Sequence, residues 1–317
     1  MGSTSQAHTI DELGENVILP QLWHRMNLTD RIYAGIYVAL GVAIFFNPER
    51  VVNWSRYLLL HLMVVEAISL LAWFRNRNRW FRFAHDWYPI FLFILIFEEI
   101  ARLSLAFVTS WQDPVILRIE QSLFSIPPSV WLARFKSIFF VELMEFGYFT
   151  FYWLLPVVGG LLYSGIWRAV TLESADDPRQ PFRQWMDALA LGYLVCYTFF
   201  LFFPTESPAR TLASLHGTQA AGGPFRWLVH IIQTNGGVHG NAFPSGHIMA
   251  SFVSLLAAWK WKPRLGRWLT VPVLLMCAGA VYDSYHYVLD VIAGALIGAA
   301  AFWFIARMRR PDSASVA

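Results

Sequence analysis

His286-Tyr-Val-Leu-Asp290-Val-Ile-Ala-Gly294-Ala-Leu-Ile-Gly298-Ala-Ala-Ala-Phe-Trp-Phe-Ile-Ala306 is an apolar run whose only imidazole and only carboxylate sit at its front end. About 20 largely apolar residues are what an α-helix needs to cross the hydrocarbon core of a bilayer. Positions 286, 290, 294 and 298 lie four apart, so they share one helical face. Small residues on such a face let a second helix approach closely. The face therefore points into a bundle and takes His286 and Asp290 with it. Read alone, the same pattern also fits plain helix packing, with His286 as an interfacial side chain.

The rest of the chain agrees with a membrane fold. Of its 317 residues 56% are hydrophobic and 14% charged, against about 25% charged in a soluble domain. Fifteen Trp and 26 Phe suit aromatic belts at two membrane interfaces. Cys196 and Cys277 both lie in apolar runs and read as packing residues, without a disulfide framework. Apolar stretches at roughly 32–46, 57–74, 88–108, 138–166, 186–203, 247–261, 268–284 and 286–306 predict eight spans, the first and sixth short as written. The fourth contains Pro156 and Gly159-Gly160, where a kink or an unwound end is expected. The fold class expected is all-α: a polytopic transmembrane bundle of about six to eight spans with an interfacial amphipathic segment. That segment runs from Trp111 to Lys136. Asp113, Arg118, Glu120 and Arg134 interleave with apolar residues there, and Pro127-Pro128 breaks it. The organisation expected is a polar tail at 1–31, accessory helices at 32–110, the principal membrane domain at 111–308 and a disordered tail at 309–317. The first 30 residues lack the basic-then-apolar pattern of a signal peptide.

Lys and Arg placement orients the bundle. Sixteen of the 24 fall on the side of the N-terminus, the loops after spans two, four and six, and the C-terminus. Seven fall on the other side, and Arg102 lies inside span three. The positive-inside rule then puts both termini in the cytoplasm. The loop at 204–246 and the turn near 284–286 share the periplasmic or lumenal face. Net charge is +3, with basic residues scattered over loops, so no nucleic-acid partner is expected.

Three pieces on that outer face carry chemistry. In the first, Asp290 accepts a hydrogen bond from one nitrogen of His286, which leaves the other free as nucleophile or base. In the second, Phe243-Pro-Ser-Gly-His247 turns into a helix start. Unpaired amides at a helix N-terminus cradle phosphate oxygens. Ser245 adds a hydroxyl, and His247 stands where it can protonate a leaving oxygen. Ser245 as an ordinary N-cap fits these residues equally well. The third is Phe203-Pro-Thr-Glu-Ser-Pro-Ala-Arg210, whose Arg210 can hold a phosphate bidentately, although a single loop Arg is usually solvated.

Pro244-Ser-Gly-His247 followed by His286-x-x-x-Asp290 resembles the second and third signatures of the type 2 phosphatidic acid phosphatase superfamily. Gly240-Asn-Ala-Phe-Pro-Ser-Gly-His247 with Tyr285-His-Tyr-Val-Leu-Asp290 looks most like the branch that includes inositol phosphorylceramide synthase. The resemblance covers roughly residues 110–306. It implies that His286 attacks phosphorus to form a phosphohistidine, Asp290 orients it and His247 protonates the departing oxygen. Ser245, the Gly246 amide and Arg210 would hold the phosphoryl oxygens, with no metal or other cofactor required. Two departures stand out. The Lys expected seven positions before Arg210 is Phe203. The Ser-Arg pair expected seven and six positions before His286 is Gly279-Ala280. Arg226, His239 and Asn241 are the nearest substitutes.

Further charge lies within the spans. Glu98 and Arg102 are spaced to pair and tie spans together. Glu99, with Glu142 and Glu145 at the outer start of span four, fits a wider pocket for an alcohol headgroup. The functions weighed are a lipid phosphatase, a phosphotransferase with a small alcohol or lipid acceptor, and a non-catalytic transporter or scaffold on the same fold. The first two imply a membrane lipid as substrate. The orientation is checked with a Cys introduced near Thr218 and a membrane-impermeant maleimide. Labelling is expected in intact cells, and labelling only after permeabilisation inverts the topology.

Overall fold

The computed structural model describes residues 20–165, 178–215, 222–236 and 240–309. His239, residues 173–177 of the polar loop and the tail from 310 onward lie outside the described residues. The regular elements are helical, and one isolated bridge joins Thr205 to Asn241. Among the described residues, six helices are long and apolar enough to cross a membrane, which fits an integral membrane protein.

The chain divides into two compact units after Ile94. The first contains α1 (Leu28–Phe45), α2 (Trp54–Phe74) and the beginning of α3 (Arg79–Phe107). Asn27 and Asp30 cap α1 reciprocally, each side chain accepting from the other's backbone N–H at 2.8 Å. The buried Asp30 also accepts from Tyr88 Oη at 2.7 Å and lies 3.0 Å from His85 Nε2, so one carboxylate joins the starts of α1 and α3.

The second unit holds the end of α3, α4 (Asp113–Phe124), α5 (Pro128–Ala133), α6 (Ile138–Ser164), α7 (Gln180–Phe202), the single turn α8 (Pro208–Thr211), α9 (Pro224–Gly236), α10 (Gly246–Trp261), α11 (Pro263–Tyr282) and α12 (Val288–Met308). The predicted interfacial segment forms α4 and α5, which part at Pro127-Pro128. α6 runs unbroken through Pro156 to a left-handed Gly165, without the expected unwound end. α10 has only 16 residues, as short as its sequence suggests. α12 begins at Val288, two residues later than the predicted span, which leaves His286 in the turn before it.

α10 packs against α7, α11 and α12, and α6 packs along α11. The contact between α10 and α12 is nearly backbone on backbone. A Cβ at Gly294 would fall 2.5 Å from the Ser245 carbonyl oxygen, and one at Gly298 would fall 2.5 Å from that of Met249. The helix that meets the small-residue stripe is therefore the one that carries His247. On its other side α10 is held by the buried Trp185 of α7, whose Nε1 donates to Ser254 Oγ at 3.0 Å. Cys196 and Cys277 are both free thiols.

A side chain at Gly298 has no room. Gly298→Val is expected to destabilise the protein by about 1–3 kcal/mol through overpacking, read as a fall in the thermal midpoint of detergent-purified protein. Gly160→Ala, where a Cβ meets nothing within 4 Å, is expected to leave the midpoint unchanged or raise it. Equal behaviour of the two variants contradicts the close contact.

Candidate active site

The three sequence pieces meet through their backbones. Thr205 N–H donates to the Gly240 carbonyl at 3.3 Å, Ala242 N–H to the Thr205 carbonyl at 3.2 Å and Phe243 N–H to Thr205 Oγ1 at 2.8 Å. These bonds tie the Arg210 segment to the loop that leads into α10. Ala209 N–H donates to the Ser284 carbonyl at 2.9 Å, which ties the same segment to the turn that carries His286. Ser245 N–H donates to the Asp290 carbonyl at 3.0 Å and closes the triangle. Gly240 makes its corner at φ +95°, in the left-handed region, with a would-be Cβ 3.0 Å from Ser104 Oγ.

Asp290 is fully buried in the first turn of α12. Its Oδ2 accepts from Tyr287 N–H at 2.9 Å and lies 3.3 Å from His286 Nδ1. With the proton on Nδ1 and directed at that carboxylate, Nε2 carries a lone pair. Ser245 Oγ sits 3.1 Å from Nε2 and also accepts from Ile248 N–H at 3.3 Å. The Ser245 hydroxyl thus caps α10 with one lone pair and donates its proton to His286, so the two sequence readings of Ser245 are compatible. Burial pushes the His286 imidazole down to about 4, against an opposing pull from the Ala242 carbonyl, so the ring is neutral at pH 7.

His247 stands in the first turn of α10. Its ring centroid is 6.4 Å from that of His286, at an interplanar angle of 57°. Phe151 at 4.5 Å, Tyr148 at 5.7 Å and Phe97 at 6.5 Å surround the His247 ring. Gly246 is the first residue of α10, and its amide is one of the unpaired donors at that end.

Arg210 lies in the turn α8. Its side chain is exposed, and among the described residues it has no recorded hydrogen bond or ion pair. Packing accounts for the residues at the departing positions. Phe203 packs against Phe243, with ring centroids 5.6 Å apart. A Cβ at Gly279 would meet the Met144 carbonyl oxygen at 2.6 Å, so the α6–α11 crossing leaves no space for a larger residue. The carbonyl of the adjacent Ala280 accepts from both Tyr285 and His286 N–H at 2.9 Å and so shapes the reactive turn.

The residues expected to widen the pocket separate into different roles. Arg226 Nη1 pairs with the buried Glu145 at 2.5 Å and donates to Tyr285 Oη at 2.9 Å, so its charge is engaged beside the His286 turn. Tyr285 Oη in turn donates to Glu145 at 2.6 Å, and its ring packs at a tilt against Tyr148. Glu142 accepts from the N–H groups of Gly223, Phe225 and Arg226 at 2.7, 2.9 and 3.0 Å. It holds the N-terminus of α9, with Oε1 accepting two of these bonds and Oε2 one. Asn241 Nδ2 donates to the Phe97 carbonyl at 2.8 Å and clamps the loop to α3. Glu99 is buried in α3. Glu98 and Arg102 pair at 3.3 Å on the exposed side of that same helix, so they link one helical turn to the next and not two spans.

The sequence reading passed over Asp113, Glu120 and Tyr287, all buried beside the site. Asp113 and Glu120 counted as the polar face of an amphipathic segment. Instead Asp113, Ile116 and Glu120 form the buried face of α4, while Ile119 and Leu123 are 42% and 63% exposed. The i, i+3, i+7 spacing was the available signal.

Residues 214–313 match the PAP2 superfamily, a stretch that contains both histidine pieces and begins beyond Arg210. Over 168 residues the chain is 29% identical to a PA-phosphatase related-family protein of Dictyostelium discoideum. That alignment covers 48% of this chain and 29% of the relative, so the chain spans well under two thirds of the relative's length. No solved structure gives a significant match.

Proposed function

We propose that this protein is an integral membrane enzyme of the phosphatase type. It would transfer the phosphoryl group of a lipid phosphate or phospholipid through a phosphohistidine, with its site on the periplasmic or lumenal face and both termini in the cytoplasm. The observation that carries the reading is the imidazole of His286, with Nδ1 3.3 Å from Asp290 and its ring centroid 6.4 Å from that of a second imidazole, His247, at the start of a helix. His286 Nε2 attacks phosphorus as the bond to the lipid oxygen breaks. The Ser245 hydroxyl swings from Nε2 onto a phosphoryl oxygen, where the Gly246 amide and Arg210 share the negative charge. His247 gives its proton to the departing lipid oxygen. It then takes one from a water that attacks the phosphohistidine, so that inorganic phosphate leaves and His286 is restored. Positive side chains and amides neutralise the developing charge, and the proposal includes no metal or other cofactor. The match to the PAP2 superfamily across both histidines supports this assignment.

A second reading, transfer to an alcohol in place of water, is favoured by the Arg226–Glu145–Tyr285 cluster one residue from His286. Its carboxylate suits a hydroxyl-rich headgroup. The sequence likeness to the inositol phosphorylceramide synthase branch points the same way.

Purified protein is to be incubated with a panel of lipid phosphates and phospholipids, with and without alcohols, and the products identified by mass spectrometry. His286→Ala and His247→Ala are each expected to abolish turnover. Asp290→Asn is expected to slow it by about 10²–10⁴-fold, the loss seen when a carboxylate that orients a catalytic imidazole is neutralised. Equal rates for wild type and His286→Ala would leave a non-catalytic transporter or scaffold as the remaining reading. EDTA is expected to leave the rate unchanged. Loss in EDTA restored by Mg²⁺ contradicts the metal-independent step.

A further inference from the structure

We infer that Asp113, at the start of α4, is a positioning residue that sets Arg210 and His286 at a fixed separation around one phosphoryl group. This rests on the phosphoryl-transfer reading above. Asp113 is 2% exposed, and its carboxylate accepts from three separate groups. Glu206 N–H reaches Oδ1 at 3.1 Å and Oδ2 at 2.9 Å. Thr211 Oγ1 donates to Oδ1 at 3.0 Å, and Tyr287 Oη donates to it at 3.1 Å. Glu206 and Thr211 bracket Arg210, and Tyr287 directly follows His286.

Each contact fixes something the local chain cannot fix alone. α8 is a single turn of four residues, far shorter than a helix that is stable by itself, so the direction of Arg210 depends on what holds its two ends. Tyr287 is the N-cap of α12, and its N–H donates to the same Asp290 oxygen that faces His286 Nδ1. A shift of Tyr287 therefore moves the hydrogen bond behind the nucleophile. Glu120, two turns along the same face of α4, adds a second hold by accepting from Val288 N–H at 2.6 Å. A backbone bond from Ala209 N–H to the Ser284 carbonyl also joins the Arg210 segment to the turn that carries His286, as does a side-chain hydrogen bond between Thr211 and Tyr287. Asp113 is not itself a phosphate ligand, because a carboxylate repels that anion and its oxygens are already occupied by donors.

The test uses detergent-purified full-length protein and dioctanoyl phosphatidic acid. Variants are Thr211→Val, Tyr287→Phe, Asp113→Asn, Arg210→Ala and the Asp113→Asn/Arg210→Ala double, with His286→Ala as the inactive reference. Loss of one such hydrogen bond is worth about fivefold. Thr211→Val is expected to raise KM about fivefold with kcat within twofold. Tyr287→Phe is expected to lower kcat about fivefold with KM within twofold. Asp113→Asn is expected to change both. In the Arg210→Ala background Asp113→Asn should add nothing further to KM, since coupled residues are not additive. Multiplicative effects on KM, or wild-type constants for both Thr211→Val and Tyr287→Phe while His286→Ala is inactive, overturn the inference. If Asp113→Asn does not elute as a folded species, the two single-bond variants decide alone. Wild-type turnover equal to that of His286→Ala overturns the underlying function reading, and this inference with it.

Discussion

The near-contact of two backbones, α10 against α12, is the constraint on which the site depends. With Gly294 and Gly298 at the crossing, the carbonyls of Ser245 and Met249 come as close as α12 can allow. Helices in lipid gain little from burying apolar surface against each other, so close packing and interhelical hydrogen bonds hold them together. Here both act at one place. Ser245 N–H bonds the Asp290 carbonyl across the crossing, and the rings of His247 and His286 lie with centroids 6.4 Å apart. A wider crossing would carry His247 away from His286 and separate the Ser245 hydroxyl from Nε2.

The membrane class, the stripe at 290, 294 and 298 and the helix start at Ser245 were legible in sequence because each follows from helical period or cap chemistry, whereas His286 falls in the turn before α12. The stripe named the face of α12 correctly, but not its partner. That α10 fills it depends on a tertiary crossing that periodicity does not encode. The Glu98–Arg102 spacing was legible as a pair, yet an i, i+4 pair on one helix and a tie between helices have the same sequence signature. Glu142 shows a related gap. Nothing in its local sequence names the chain that returns to it, which is the start of α9, 81 residues downstream.

α4 shows why polarity misleads at a membrane surface. Amphipathic reasoning in water puts charge outward. Beside lipid the outward face can be apolar, and the charged residues turn inward if donors await them. Asp113 and Glu120 do so, and each is met by N–H or O–H groups from loops that would otherwise leave buried donors unsatisfied. Buried carboxylates on a short surface helix then bring order to neighbouring loops that have little regular structure of their own.

The mooring of α9 has a consequence for how this architecture can vary. Glu142 and Glu145, one turn apart on α6, grip the first residues of α9 and the Arg226 guanidinium. The register of Arg226 is thereby referred to a rigid membrane helix and not to the chain that leads up to it. A change in the approach to α9 would therefore leave the Arg226 guanidinium where the two carboxylates of α6 hold it.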